Sequence, residues 1–183
     1  SMHTQAKGDT LLCFPAAGVK GAMATAALET AGVNKTSVNR LIFLPQTNIN
    51  IWGKPYLKID VVRSADMNRT PDMRTRAYLP NWCAEVEIRF ATPNFSARSI
   101  SSLVQNAGQL IGLGDFRQEK GRGSFGTFSI AGEELGEYQE LWDELMQEGR
   151  EVQELARDNP ECADQETAEL MQFLQEERLR RAA

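Results

Sequence analysis

The fold prediction for this chain depends most on residues 96–130, SARSISSLVQNAGQLIGLGDFRQEKGRGSFGTFSI. Residues 96–114 place apolar side chains at helical spacing, and Ser96 or Ser99 can cap the start of the helix. Residues 111–128 hold five glycines, two arginines, a lysine and three phenylalanines. That composition is too Gly-rich for a helix, and the segment is too long for a simple hairpin turn. The following FGTFSI predicts a strand, so the order is helix, Gly-rich loop, strand.

The chain before this stretch predicts further helices and strands. Alanines dominate residues 16–31, with Pro15 suited to the first helical turn and Gly32 to the helix stop, so a helix is expected there. The segment 64–82 is polar and contains two prolines, which indicates a loop or a long hairpin tip. Strands are predicted from short apolar or alternating patterns at 40–46, 56–63 and 83–91.

The predicted element order points to an α+β fold. With TLLCF (10–14) as a first strand, the order becomes β-α-β-β-α-β. This is the ferredoxin-like order, also seen in modified RRM sheets, in which an antiparallel sheet carries two helices. We therefore expect a ferredoxin-like antiparallel sheet followed by a C-terminal helical hairpin.

Charge divides the chain into a basic body and an acidic tail. The formal net charge is −5. Residues 1–130 contain 15 Lys+Arg and 9 Asp+Glu, or +6, whereas residues 131–183 contain 5 and 16, or −11. We therefore predict an α+β body at 1–130 and an acidic helical tail at 131–183.

The acidic tail predicts two helices separated near Pro160, which lacks a donor and restricts the preceding residue. An apolar stripe at helical spacing marks the first helix. Such a stripe packs on the body, or it serves self-association or a protein partner. The stripe consists of Leu135, Tyr138, Trp142, Leu145 and Val152.

Several chemistries have little support in the sequence. The three cysteines form no C-x-x-C pair and the only histidine is His3, so we predict no metal, no cofactor and no enzymatic activity. No apolar run reaches membrane-spanning length, and the N-terminus has no secretory pattern. We expect a cytoplasmic protein without a membrane partner.

The Gly-rich loop does not fit a nucleotide cradle. Phosphate-binding P-loops and dinucleotide fingerprints place their glycines between a strand and a following helix, whereas this loop follows a helix. Two interpretations remain open: a nucleic-acid loop in which Arg117, Lys120 and Arg122 meet phosphates, or a helix-to-strand connection whose phenylalanines enter the core. Glycines that permit positive φ or close backbone approach are Gly112, Gly114, Gly121, Gly123 and Gly126.

A second group of cations lies in and before the polar segment. The four arginines fall within 14 positions of one another. They are interpreted either as a solvated surface or as phosphate contacts, with the two weighed evenly. This group consists of Arg63, Arg69, Arg74 and Arg76.

Two motifs together resemble a known superfamily. FPAAGVKGAMATAA (14–27) resembles the helix opening of the RAMP superfamily, and GLGDFRQEKGRGSFGTF (112–128) resembles its C-terminal Gly-rich loop. With RTRAYLPNW (74–82), the chain is similar over about 11–130 to phage and prophage proteins of this architecture. RAMP proteins are ferredoxin-like and form the crRNA-binding backbone of CRISPR effector complexes.

The resemblance implies that the chain binds single-stranded RNA or DNA through the nucleic-acid backbone and assembles side by side along the strand, without catalysis. It places Lys20 near a phosphate path, basic residues in the Gly-rich loop, and a protruding hairpin at 64–80 with three of the arginines. It also implies the cytoplasm of a bacterial host. The rival function is a phage protein-interaction or anti-defence factor that uses the acidic helices to bind a protein partner.

Overall fold

The structure is a computed structural model that describes residues 9–63, 71–120, 123–131 and 138–182. It confirms the predicted α+β class, with five α-helices and small antiparallel sheets among the described elements. The strands are β1 Cys13–Pro15, β2 Ile42–Phe43, β3 Asn48–Trp52, β4 Tyr56–Arg63, β5 Pro71–Tyr78, β6 Cys83–Ala84 and β7 Arg89–Phe90. The α-helices are α1 Ala16–Ala26, α2 Lys35–Leu41, α3 Ala97–Asn106, α4 Gln139–Asp158 and α5 Gln165–Ala182.

The chain forms two compact units that interleave along the sequence. Unit 1 combines Ser1–Leu12, Trp52–Cys83 and Trp142–Ala183. Unit 2 combines Cys13–Ile51 with Ala84–Leu141. This division differs from the predicted boundary after residue 130, because the hairpin strands β4 and β5 group with the acidic helices.

Unit 2 is built around α1 and α3. The buried face of α1 consists largely of alanines. Ala22 and Ala26, together with the fully buried Met23, lie in one apolar cluster with Ile100 and Leu103 of α3. Burying alanines rather than larger side chains lets the two helices approach closely. The predicted helix at 16–31 is thus confirmed, as α1 followed by a short 3₁₀ turn at Ala27–Glu29.

Helix α3 begins with a reciprocal cap. The Ser96 hydroxyl accepts from the Ser99 backbone N–H at 3.1 Å, and the Ser99 hydroxyl accepts from the Ser96 N–H at 2.9 Å. This arrangement satisfies donors that the first helical turn leaves without partners. The helix ends in a π-helical segment, Ala107–Ile111, closed by a 2.9 Å bond from the Gly112 N–H to the Ala107 carbonyl.

Two of the predicted strands differ from the structure: the one at 83–91 is divided, and the one at 40–46 is shorter. The segment 83–91 does not form one strand, because the Gln46 side chain bonds the Glu85 carbonyl and the Glu87 N–H and takes the place of a ladder. Only its ends pair, as β6 and β7 in different sheets. The segment 40–46 loses its first residues to α2 and keeps only β2.

The predicted last strand at 125–130 is also wrong. These residues run without strand pairing alongside the end of α3. The Phe128 N–H bonds the Gly108 carbonyl at 3.3 Å, and the Ile130 N–H bonds the Gln105 side chain at 3.3 Å. The helix, rather than a neighbouring strand, therefore satisfies this part of the backbone.

Unit 1 contains a two-stranded ribbon. Strands β4 and β5 pair antiparallel over eight residues each, from Tyr56 opposite Tyr78 to Arg63 opposite Pro71. The prediction of β4 at 56–63 is confirmed, and β5 lies within the segment 64–82, for which a loop or a long hairpin tip was predicted. Most β5 side chains are exposed, so the strand has no apolar alternation that the sequence could reveal.

Helices α4 and α5 complete unit 1. Gly149 interrupts α4 with φ 54° and ψ −139°, a backbone conformation that favours glycine, so the predicted stripe does not lie on one continuous helix. The break near Pro160 is confirmed. Gln153, 1% exposed, accepts from the Leu11 and Leu12 N–H groups and donates to the Gly53 carbonyl.

Candidate nucleic-acid interface

The Gly-rich loop is held by its own backbone. The Leu113 N–H bonds the Gly126 carbonyl at 2.9 Å, and the Phe125 N–H bonds the Phe116 carbonyl at 3.3 Å. These bonds tie the two described sides of the loop, 112–119 and 123–128, to each other. These two bonds satisfy two N–H groups and two carbonyls within the loop and hold its two sides together.

Glycines make these contacts possible. A Cβ at Gly123 would overlap the Phe116 carbonyl, and a Cβ at Gly126 would overlap the Leu113 carbonyl. Gly126 also has φ 71°, which side-chain-bearing residues rarely adopt. Glycine at these positions therefore serves close backbone packing within the loop.

The loop presents two aromatic rings to solvent. Phe116 is 61% exposed and Phe125 is 40% exposed, and their ring centroids lie 5.6 Å apart at an interplanar angle of 58°. Phe116 has φ 57°, an uncommon backbone state for a bulky residue. The interpretation that the loop phenylalanines enter the core is therefore wrong for Phe116 and Phe125. Phe128 does pack, partly buried, against the apolar cluster of unit 2.

Arg117 is engaged within the loop. Its Nε and Nη2 donate to Glu119 at 3.0 and 2.9 Å, and its Nη1 donates to the Gly114 carbonyl at 2.9 Å. The side chain is 27% exposed. Arg117 therefore braces the turn around Gly114, and a phosphate would compete with Glu119 for its guanidinium.

Lys20 lies on α1 of the same unit as the loop. Its Nζ donates to the Asn39 carbonyl at 3.0 Å and lies 5.7 Å from the centroid of the exposed Phe43 ring. Both of these contacts are with uncharged groups, a backbone carbonyl and an aromatic ring. Lys20 thus retains a positive charge that a phosphate can use.

The ribbon of unit 1 carries the second group of cations. Alternation along β5 places Arg74 and Arg76 on one face, and the register puts Arg63 of β4 on the opposite face. Arg74 pairs with Asp72 at 3.3 Å and Arg76 with Asp60 at 3.0 Å. Each of these two arginines therefore has a carboxylate partner on the ribbon itself.

Sequence reasoning missed four residues near these arginines. Tyr56 stands opposite Tyr78, and Lys58 opposite Arg76, on the same face as Arg74. Lys54, just before β4, lies 5.1 Å from the Tyr56 ring centroid. The alternation of Tyr56, Lys58 and Asp60 against Leu57 and Ile59 was visible in the sequence. Such alternation predicts a strand but not which ligand its polar face would bind.

The tail is attached to this ribbon. The Lys54 Nζ lies 2.8 Å from Glu161, and the Lys58 Nζ lies 2.6 Å from Asp164. The hydrogen bond to Asp164 raises the pKa of Lys58, and the hydrogen bond from Lys58 holds the pKa of Asp164 well below its ordinary value. The hydrogen bond to Glu161 likewise raises the pKa of Lys54.

The predicted binding residues do not gather in one unit. Lys20, Arg117 and the loop glycines belong to unit 2, whereas the hairpin arginines belong to unit 1. Gly112 and Gly114 have positive φ of 75° and 81°. The residues Arg69, Gly121, Arg122 and Leu135, and the side chain of Lys120, lie outside the described part of the chain.

The predicted stripe on the first acidic helix has mixed exposure. Leu145 is buried, Trp142 and Val152 are half-buried, and Tyr138 is exposed. The buried Trp142 Nε1 finds no hydrogen-bond partner among the residues that the structure describes. The middle of the stripe thus contributes to packing in unit 1, while Tyr138, which belongs to unit 2, faces solvent.

Among the described residues, no cluster of three or more His, Cys, Asp or Glu side chains is arranged to hold a metal ion. In the same residues, every helix falls short of the length and apolarity needed to cross a bilayer. Searches with the whole chain found no matching family model, no matching curated protein and no matching solved structure.

Proposed function

We propose that this protein is a phage-type, non-catalytic binder of single-stranded RNA or DNA that self-associates along the strand. In this proposal the α+β body is a variant of the ferredoxin-like arrangement. A strand leads into α1, and the capped α3 leads into the Gly-rich loop.

The exposed Phe116–Phe125 pair carries the proposal. Large aromatic side chains are mostly buried, so two adjacent exposed rings on a backbone-locked loop call for an explanation. Proteins that bind single strands without strong sequence preference stack bases on such rings and neutralise the phosphates with cations. The αL backbone of Phe116 turns this residue into a strained loop position, as is common at functional sites.

The test is the double substitution F116A/F125A, assayed by fluorescence anisotropy with labelled single-stranded RNA and DNA. Base stacking on an aromatic ring contributes about 1–3 kcal/mol, so we expect binding at least about tenfold weaker. The matched control is Leu28→Ala, which removes another exposed apolar side chain from unit 2. Equal affinities for wild type, F116A/F125A and L28A would contradict the proposal.

A protein partner is the second candidate function. It is favoured by exposed apolar side chains on the acidic helices, namely Leu155 of α4 and Phe173 and Leu179 of α5. Exposed apolar side chains on a helix can serve to bind a partner protein. If wild type binds neither RNA nor DNA at low salt, the first function fails and this second function replaces it. Light scattering of wild type and L155S/F173S then tests whether these exposed side chains mediate a protein–protein contact.

A further inference from the structure

The two lysines near the start of the ribbon are unusually placed. Lys58 stands directly opposite Arg76 in the β4–β5 register, and like charges in that position destabilise a strand pair. Asp60 lies between them, 3.7 Å from Lys58 and 3.0 Å from Arg76. One carboxylate therefore serves two cations, and Lys54 adds a third beside Tyr56.

A short acidic segment supplies further negative charge. We call residues 161–164 the acidic latch. On the ribbon, Lys58 and Arg76 share the Asp60 carboxylate. Glu161 and Asp164 of the latch add a carboxylate contact to Lys54 and to Lys58, respectively.

The latch is also held by its backbone. The Leu57 N–H donates to the Glu161 carbonyl at 2.7 Å, and the Ala163 N–H donates to the Leu57 carbonyl at 2.8 Å. Leu57 and Cys162 thereby form a parallel bridge on the edge of β4. Just beyond the latch, the Thr167 hydroxyl accepts from the Ile59 N–H at 3.2 Å.

We propose that Lys54 and Lys58, flanked by Tyr56 and Tyr78, form a second nucleic-acid contact, and that the acidic latch occupies it as an intramolecular competitor. This inference rests on the proposed function. The carboxylates of Glu161 and Asp164 stand where phosphate oxygens would meet the two ammonium groups. On this face the Tyr56–Tyr78 pair lies next to the Lys58–Arg76 pair, and Lys54 lies beside the Tyr56 ring. Cations next to aromatic rings match the chemistry of a single strand, in which phosphates lie next to bases.

The main test neutralises the latch in the full-length chain. E161Q removes one carboxylate whose side chain contacts only Lys54 among the described ion pairs, so we expect the fold to persist. In E161Q/D164N, the asparagine can still accept from the Thr167 N–H and cap α5, as Asp164 does at 2.9 Å. Thermal unfolding followed by circular dichroism verifies that both variants remain folded.

We expect both variants to bind a labelled poly-U RNA or poly-dT DNA more tightly than wild type at low salt. The gain should be about three- to tenfold for the double variant and smaller for E161Q, since each released lysine makes one surface ion pair with a phosphate. The slope of log affinity against log salt should steepen by about 0.7 for each lysine.

The matched control is E169Q/E176Q on α5. It changes the net charge by the same amount, and its two carboxylates accept hydrogen bonds from Gln165 and Gln172 of the same helix. Equal gains in this control and in the latch variant would overturn the inference, because general charge would then explain both. A second arm adds K54Q/K58Q to the latch variant. Persistence of the gain there would likewise overturn it.

The outcomes separate this inference from the proposed function. If wild type binds and F116A/F125A weakens binding, but the latch variants do not differ from the control, the latch inference fails while the proposed function stands. If neither wild type nor the latch variants bind at low salt, both fail. A gain confined to the latch variants, and lost with K54Q/K58Q, supports both the site and its competitor.

Discussion

The Gly-rich loop of unit 2 and the ribbon of unit 1 both carry aromatic and cationic groups, but different interactions hold those groups in place. In the loop, backbone bonds across Gly126 and Phe116 set the geometry, and the rings face solvent. In the ribbon, the strand ladder sets the geometry, and ion pairs occupy most of the charges. A surface shaped by backbone packing is insensitive to salt, whereas one balanced by ion pairs responds to ionic strength and pH.

The largest expected effect breaks the loop. Gly126→Ala forces a Cβ against the Leu113 carbonyl at a position with φ 71°. We expect a loss of about 3 kcal/mol in the free energy of unfolding, because both overlap and backbone strain act. Chemical denaturation measures this loss.

The control for that variant is Gly21→Ala in α1, where nothing lies within 4 Å of the added Cβ. It should stabilise the protein by up to about 1 kcal/mol, because alanine favours a helix over glycine. If G126A and G21A behave alike, the loop does not depend on close backbone packing.

A smaller loss of stability is expected from replacing the buried Gln153 side-chain amide of unit 1. Gln153→Leu leaves the Leu11 and Leu12 N–H groups and the Gly53 carbonyl without this partner. Unsatisfied buried polar groups cost about 1–3 kcal/mol each, and water reaches some of them, so we expect a loss of about 2 kcal/mol. Urea unfolding measures it.

The matched change for Q153L is Gln172→Leu, which alters an exposed glutamine bonded to Glu176 within α5. Its effect should stay within about 0.5 kcal/mol. A Q153L variant as stable as Q172L would show that unit 1 does not require the buried amide.

The smallest effect concerns pH and the ribbon. Because bonding to Lys58 lowers the pKa of Asp164 below its ordinary value of 3.8, the ionised carboxylate stabilises the folded state. This contribution is fully present above pH 3.8 and is lost as the pH falls toward the lowered folded pKa.

Wild type should therefore melt above D164N at neutral pH, and the difference in Tm should shrink under acid conditions. Thermal unfolding of both proteins over a pH series tests this. A Tm difference that stays constant down to strongly acidic pH would show that the Lys58–Asp164 pair does not stabilise the ribbon.

Patterns of local origin were predictable. The alternation at 56–63 located β4 to the residue, and the serines before Ile100 located the cap of α3. Arg117 and Glu119, two positions apart, form an ion pair of the same local kind. Each depends on neighbours within a few residues, which a sequence displays directly.

Features of distant origin were not predictable. The segment 83–91 alternates as a strand should, yet the Gln46 side chain bonds to it and divides it. FGTFSI reads as a strand, yet Gly108 and Gln105 hold it beside a helix. A local sequence pattern does not show which distant residue will form the hydrogen bond to a given backbone N–H or carbonyl.

The sequence by itself determined the α+β class, helix α1, the capped start of α3, and the basic and acidic halves, because propensity and charge are local properties. Only the tertiary structure decided that Phe116 and Phe125 face solvent while Phe128 is packed, and that Glu161 and Asp164 lie on Lys54 and Lys58. The two ion pairs join residues 107 and 106 positions apart in the chain, and only folding brings such residues together.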